Sequence, residues 1–112
     1  MHAVNATSAP FGSGIDEATA LDVEMAPSTV VNPPRIAPLP ESLECTLRQI
    51  HETGDSMLVI GEVAMLTVDD QVFVDGEPDY DPMRPVARLG GPMWGLPSLT
   101  VALPRPMLVD YA

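Results

Sequence analysis

From residue 43 the chain alternates, with Leu43, Cys45 and Leu47 apolar and Glu44, Thr46 and Arg48 polar, the period of a half-buried strand. Cys45 falls on the apolar side, which predicts a core position. A polar turn, His51-Glu52-Thr53-Gly54-Asp55, then leads into an apolar run from Met57 to Val68, a second and longer strand. The two predict an antiparallel hairpin. Gly61 lies in the middle of the second strand, where a missing side chain marks a bulge or a barrel corner, so the sheet is expected to curl and close.

The flanking segments carry weaker periodicity. Residues 1–14 are small and polar, with Pro10, Gly12 and Gly14, and read as a loop. Asp16 is an N-cap candidate, with Glu17 in the first turn, for a short helix over 16–22. Five prolines between 26 and 40 predict an extended connector with one edge-strand stretch at Thr29-Val30-Val31. After Asp69-Asp70 comes a short strand over 71–76, then an acidic loop. Asp81-Pro82 reads as the cap and first-turn proline of a brief helical turn stopped by Pro85. A loose alternation through Leu99, Val101 and Leu103 suggests a closing strand. The resulting division is 1–40 (loop, short helix, proline-rich connector), 41–76 (antiparallel strands), 77–106 (acidic loop, Arg-Leu-Gly-Gly segment, closing strand) and 107–112 (tail).

Composition narrows the class. Of 112 residues, 46% are hydrophobic, too many for a disordered acidic tail, and 13 Pro with 8 Gly leave little room for long helices. The chain is therefore expected to be mainly β with short helices. Its net charge of -11, with five scattered arginines and no lysine, excludes nucleic acid and anionic membrane surfaces as partners. A single cysteine, no signal-peptide pattern and no apolar run near the roughly 20 residues of a membrane helix predict a soluble, cytoplasmic protein.

The search for chemistry gives few candidates. The carboxylates between 69 and 81 lack the glycine-turned loop and closing Glu of a calcium site and read as a solvated hairpin rim. His2 and His51 are isolated, and Cys45 has acidic neighbours that oppose a thiolate. No catalytic acid, base or nucleophile stands out. The Arg88-Leu89-Gly90-Gly91 segment is more suggestive, because the glycines let backbone approach a flat ligand, Arg88 offers a planar cation and Trp94 an aromatic face. It lacks the Gly-x-Gly-x-x-Gly pattern, which excludes a dinucleotide fold.

Several segments together resemble the flavin reductase-like family. They are Asn5-Ala6-Thr7-Ser8-Ala9-Pro10-Phe11 with Gly14-Ile15-Asp16-Glu17, Pro33-Pro34-Arg35-Ile36, and Leu43-Glu44-Cys45. Leu58-Val59-Ile60-Gly61-Glu62-Val63, then Asp81-Pro82-Met83-Arg84-Pro85-Val86-Ala87-Arg88-Leu89-Gly90-Gly91, and finally Leu103-Pro104-Arg105-Pro106 come after them in the family's order. The resemblance implies an FMN-binding split barrel, of which this chain is the C-terminal portion, forming a homodimer that uses NAD(P)H to reduce FMN or FAD. Some relatives of this kind supply a monooxygenase. It also implies that Phe11, Arg88, Gly90, Gly91 and Trp94 line the cofactor pocket. Motifs of the family's upstream half are not seen, which raises the alternative of a truncated, non-catalytic remnant or interaction module.

Overall fold

A computed structural model describes residues 2–107 and is organised around one long antiparallel hairpin. In chain order the elements are α1 (His2–Ala6), α2 (Glu17–Ala20), β1 (Met25–Ala26), β2 (Arg35–Ile36), β3 (Glu41–Thr53) and β4 (Ser56–Val68). A 3-10 turn at Asp70–Val72 leads to β5 (Phe73–Val74), β6 (Glu77–Pro78), α3 (Tyr80–Met83), β7 (Ala87–Arg88) and β8 (Trp94–Gly95). The strands pair as four separate two-stranded antiparallel sheets, none of which closes. Of the expected tail, residues 108–112 lie outside the described residues, as does Met1.

The β3–β4 hairpin is longer than the alternation alone suggested. The polar segment expected as a turn is mostly strand, and only Gly54-Asp55 turns, with Gly54 at φ 63°. Two irregularities interrupt the register, one between Glu44 and Cys45 opposite Met65 and Val63, the other between Leu47 and Gln49 opposite Gly61 and Ile60. Each adds one residue to one strand, so each reverses the in/out parity of the residues beyond it. Their joint effect is to bring many of the apolar residues onto one face, although Leu58, Ile60 and Met65, paired with His51, Gln49 and Glu44, fall on the other. Leu43, Cys45 and Leu47 share it by simple alternation, and the extra Arg48 then brings Ile50 onto it. On β4, Met57, Val59 and Val63 lie across from them, and the extra Ala64 brings Leu66 into line. The opposite face carries Thr46, Glu62 and the exposed Arg48–Glu62 pair at 3.3 Å.

Gly61 occupies the crowded point of this face. A Cβ there would lie 3.0 Å from the Cys45 Cβ, tight enough that the neighbouring strand would have to give by a few tenths of an ångström. The hairpin does bulge at this level, but the extra residue is Arg48 on β3, opposite Gly61 and Ile60, rather than the glycine itself.

Burial departs furthest from expectation. Among the described residues only Val72 is a buried apolar side chain, and Cys45, expected in a core, is exposed. The physical reason is that the connector reaches Leu43 and Cys45 only across an open cleft, and the rest of the apolar face of β3–β4, with Leu47 65% exposed, is left uncovered among the described residues. The buried polar residue is Glu44, 3% exposed, whose carboxylate accepts hydrogen bonds from the backbone N–H groups of Thr29 and Val30 at 2.7 Å and of Val31 at 3.3 Å. This arrangement also explains why Thr29-Val30-Val31 forms no edge strand. Its donors are turned toward one side chain, and the strand in this region is instead the short β1–β2 ladder, Met25 opposite Ile36 and Ala26 opposite Arg35.

The smaller elements obey local chemistry. Residues 2–6, expected as loop, are helical because the first proline is not reached until Pro10, and the Thr7 and Ser8 hydroxyls close the helix by donating to the carbonyls of Val4 and Asn5. Asp16 caps α2 as expected, and its carboxyl is held below its ordinary range by the Thr19 hydroxyl and the Ala18 N–H. For α3 the cap is Asp79 rather than Asp81, with Asp81 in the first turn, and Arg84 ends it at φ 49° before Pro85. Asp75 and Gly76, both at positive φ, make the tight turn between β5 and β6. Residues 96–107 form no regular element, since Pro97, Pro104 and Pro106 remove donors and no neighbouring strand offers a ladder.

Candidate functional site

The Arg88 segment folds as a small hairpin. Arg88 and Trp94 are direct cross-strand partners in β7–β8, and the Arg88 guanidinium carbon stands 5.2 Å from the centroid of the Trp94 ring, a cation–π contact. The loop between them is closed by Leu89 N–H to Met93 O at 3.0 Å and Met93 N–H to Gly90 O at 3.3 Å. Gly91 has φ 59°, a backbone conformation that favours glycine, whereas Gly90 is required by no strain. At both glycines the space a Cβ would occupy is open to 4 Å. Gly95 is tighter, its Cβ position lying 3.4 Å from the Ala87 Cβ, which lets the two strands meet closely.

The hairpin sets an exposed cation beside an aromatic ring. Among the described residues the ion pair formed is Arg48–Glu62, so Arg88 keeps its fork of donors free of any carboxylate. Beside it lie a half-buried aromatic plane and a stretch of bare backbone. A flat, anionic heteroaromatic molecule fits that donor set. Phe11, the remaining sequence candidate, sits half-buried in the loop between α1 and α2, its N–H donating to the Ala9 carbonyl at 2.8 Å. The structure thus brings Arg88, Gly90, Gly91 and Trp94 into one hairpin and places Phe11 on a separate segment, with no hydrogen bond or ring contact joining the two among the described residues.

Two clefts have no counterpart in the sequence pattern. One, of about 570 Å³, is formed where residues 97–100 cross α3. There the Ser98 N–H donates to the Tyr80 hydroxyl at 3.3 Å and the Thr100 hydroxyl donates to the Asp81 carboxylate at 3.2 Å, so part of the acidic segment serves as an anchor for the chain beyond β8. Tyr80→Phe should speed amide exchange at Ser98 while changing global stability by less than about 1 kcal/mol, as expected for one exposed hydrogen bond. Hydrogen exchange with a denaturant titration checks both. The other cleft, of about 470 Å³, lies between the connector and the start of β3 and is walled by Arg35, Leu39, Leu43 and Cys45. Neither grouping has a sequence signal, because each joins residues 10 to 20 positions apart without a motif.

No helix among the described residues is long and apolar enough to cross a membrane. A family model described as flavin reductase like domain matches residues 1–82. An uncharacterised protein of Deinococcus radiodurans is 33% identical over 91 residues, covering 79% of this chain and 40% of that protein. A second, from Halalkalibacterium halodurans, is 32% identical over 114 residues, covering 96% of this chain and 54% of that protein. Among solved structures, nitrilotriacetate monooxygenase component B from Bacillus cereus superposes with a TM-score of 0.81 at 23% identity, over 91% of this chain and 54% of its own. The 2-nitrobenzoate 2-nitroreductase of Pseudomonas fluorescens gives 0.82 at 27% identity, over 96% and 54%. The chain spans about half the length of the relatives and structures it matches.

Proposed function

The chain belongs to the flavin reductase-like family, a family of flavin-related oxidoreductases with split-barrel folds, and on that premise we propose that it serves NAD(P)H-dependent reduction of FMN. The observation that carries this reading is the family match over residues 1–82. The β7–β8 hairpin, just beyond the matched span, supports it by its chemistry. In this proposal Trp94 and Phe11 supply aromatic surface to the flavin ring, and Gly90 and Gly91 let backbone N–H groups reach it. Arg88, already braced against Trp94, directs its donors to an anionic oxygen of the ligand. Flavin, when bound, supplies the redox centre that takes up a hydride from the nicotinamide. The residues of this chain bind and orient, which accords with the lack of any acid–base constellation.

The likeness to a monooxygenase component supports a further step, in which reduced flavin is passed to an oxygenase partner, and the family resemblance is what suggests a cytoplasmic homodimer as the working form.

The chain has a single tryptophan, so Trp94 emission reports directly on the proposed pocket. Titration with FMN should quench it, and Arg88→Ala should weaken the apparent affinity by about 10- to 100-fold, the worth of one hydrogen-bonded charge. An emission unchanged up to millimolar FMN, together with no NAD(P)H-dependent flavin reduction, refutes the reading.

A further inference from the structure

We propose, resting on the reading of the β7–β8 hairpin as a flavin platform, that the cleft where residues 97–100 cross α3 is a subsite for the phosphorylated sugar arm of a nucleotide. Arg84 takes the phosphate and Asp81 accepts from the sugar hydroxyls.

Residues 97–100 form no regular element, and two contacts set them against α3, Ser98 N–H to the Tyr80 hydroxyl at 3.3 Å and the Thr100 hydroxyl to the Asp81 carboxylate at 3.2 Å. The space they enclose, about 570 Å³, falls within the roughly 300–1,000 Å³ of small-ligand pockets. What these contacts leave over decides the ligand. Tyr80 accepts from Ser98, so its own O–H proton is left to donate. The Ser98 hydroxyl and the Arg84 guanidinium have no partner among the described residues. Three donors, one of them a permanent cation, thus line one cleft, and a phosphate with its several acceptor oxygens is what such a set binds. The Asp81 carboxylate opposes a bare anion. Only the Thr100 hydroxyl donates to it from across the cleft, so acceptor capacity remains for the hydroxyls of a sugar, the use made of acidic side chains toward ribose. A phosphate joined to a polyol meets both demands, whereas inorganic phosphate meets one.

Chain connectivity places the cleft beside the hairpin. Arg84 precedes Ala87 by three residues and Pro97 follows Gly95 by two, and Ala87 and Gly95 are cross-strand partners. At ~3.5 Å per residue neither wall lies farther than about 11 Å from that rung, and the Arg88–Trp94 rung is the next one. A ring over Trp94 and a phosphate at Arg84 are therefore within reach of one molecule. Charge favours the same place. From Pro82 to Met107 the sequence carries Arg84, Arg88 and Arg105 and no carboxylate, in a chain of net charge -11, so an anionic ligand is repelled by most of the molecule and least by this segment. Both the ribityl phosphate of FMN and the ribose phosphates of NAD(P)H carry the required chemistry.

The full chain is titrated with FMN, with riboflavin, which lacks the phosphate, with ADP-ribose, which carries the donor's sugar phosphates without its nicotinamide, and with inorganic phosphate. Trp94 emission and backbone amide shifts are followed. FMN, ADP-ribose or both should shift the Tyr80, Arg84, Ser98 and Thr100 amides, while riboflavin and inorganic phosphate at the same concentration should not. A response to FMN alone assigns the cleft to the flavin, and one to ADP-ribose alone assigns it to the donor. Arg84→Gln should weaken the responding nucleotide by about 10- to 100-fold, as for one hydrogen-bonded charge, and leave riboflavin binding at Trp94 unchanged. Because Arg84 also ends α3 at positive φ, Ser98→Ala is the second variant. It keeps the N–H that holds the segment, removes only the hydroxyl, and should weaken binding by about 2- to 10-fold. Cleft amides that respond to no nucleotide overturn the proposal, as do equal losses for FMN and riboflavin in Arg84→Gln. So does the same shift with inorganic phosphate, which would make the cleft a site for an adventitious ion only. Absence of flavin reduction with ADP-ribose still held in the cleft refutes the flavin reading alone, whereas reduction of FMN and riboflavin at equal kcat/KM with silent cleft amides refutes the subsite alone.

Discussion

Replacing Glu44 with alanine is expected to release the proline-rich connector from the hairpin, seen as a rise of at least about tenfold in amide exchange at Thr29, Val30 and Val31. Three consecutive backbone donors converge on this one carboxylate at 2.7, 2.7 and 3.3 Å, and no other acceptor in the described structure takes them. Hydrogen bonds to a charged acceptor are among the stronger ones, and removing the acceptor leaves the donors to water or to nothing. The connector also sets β2 against β1 and forms one wall of the Arg35 cleft, so its release should loosen both. Unchanged exchange at these three amides would show that the connector is held by its prolines instead.

The same contact makes a pH prediction with a definite sign. The Thr29 N–H first, then that of Val30, holds the Glu44 carboxyl below its ordinary value of 4.5, against an opposing push from burial. The folded chain therefore binds this proton less tightly than the unfolded chain. Its stabilising contribution is whole above about 4.5 and is lost as the pH falls through the lowered folded value. Glu44→Gln should accordingly be less stable than the parent at pH 7 and should converge toward it in acid, as measured by urea midpoints across pH 3 to 7. A gap between the two that stays constant over this range would remove Glu44 as the titrating group.

What could be read from the sequence was what neighbouring residues decide. Leu43, Cys45 and Leu47 announced their strand because alternation is local, and Asp16 announced its helix because a cap lies next to what it caps. Glu44 did not announce its burial, since its partners stand 13 to 15 positions earlier and a glutamate on the polar side of a strand reads as solvated. Cys45 was misplaced for a related reason. Its apolar side is as the alternation requires, but whether that side is covered depends on material outside the hairpin. At the candidate site the residue types of Arg88 and Trp94 were informative, while their pairing across β7–β8 depended on a loop length and register that only the fold supplies. The acidic stretch shows the converse, because Asp69, Asp79 and Asp81 each hold a backbone or hydroxyl donor and are structural as well as solvated.

Gly61→Val is expected to lower stability by about 1 kcal/mol or more, the low end of the range for forcing extra atoms against neighbours that must shift. The direction is what makes this informative. In a strand, glycine is a poor residue and valine a good one, so propensity alone predicts a gain approaching ~1 kcal/mol. Here the added Cβ would lie 3.0 Å from the Cys45 Cβ, 3.5 Å from its sulfur and 3.7 Å from the Thr46 carbonyl, so one of the two strands must move. Backbone and Cβ atoms yield little, unlike the far end of a long side chain. Gly61→Ala should show the same sign with a smaller loss, and Cys45→Gly in the same chain should recover part of it, a coupling expected only of residues in contact. Denaturant midpoints of the parent and these variants decide the matter. A valine variant more stable than the parent would mean that the strands can separate at no cost and that the close approach of Cys45 is not what requires a glycine at position 61.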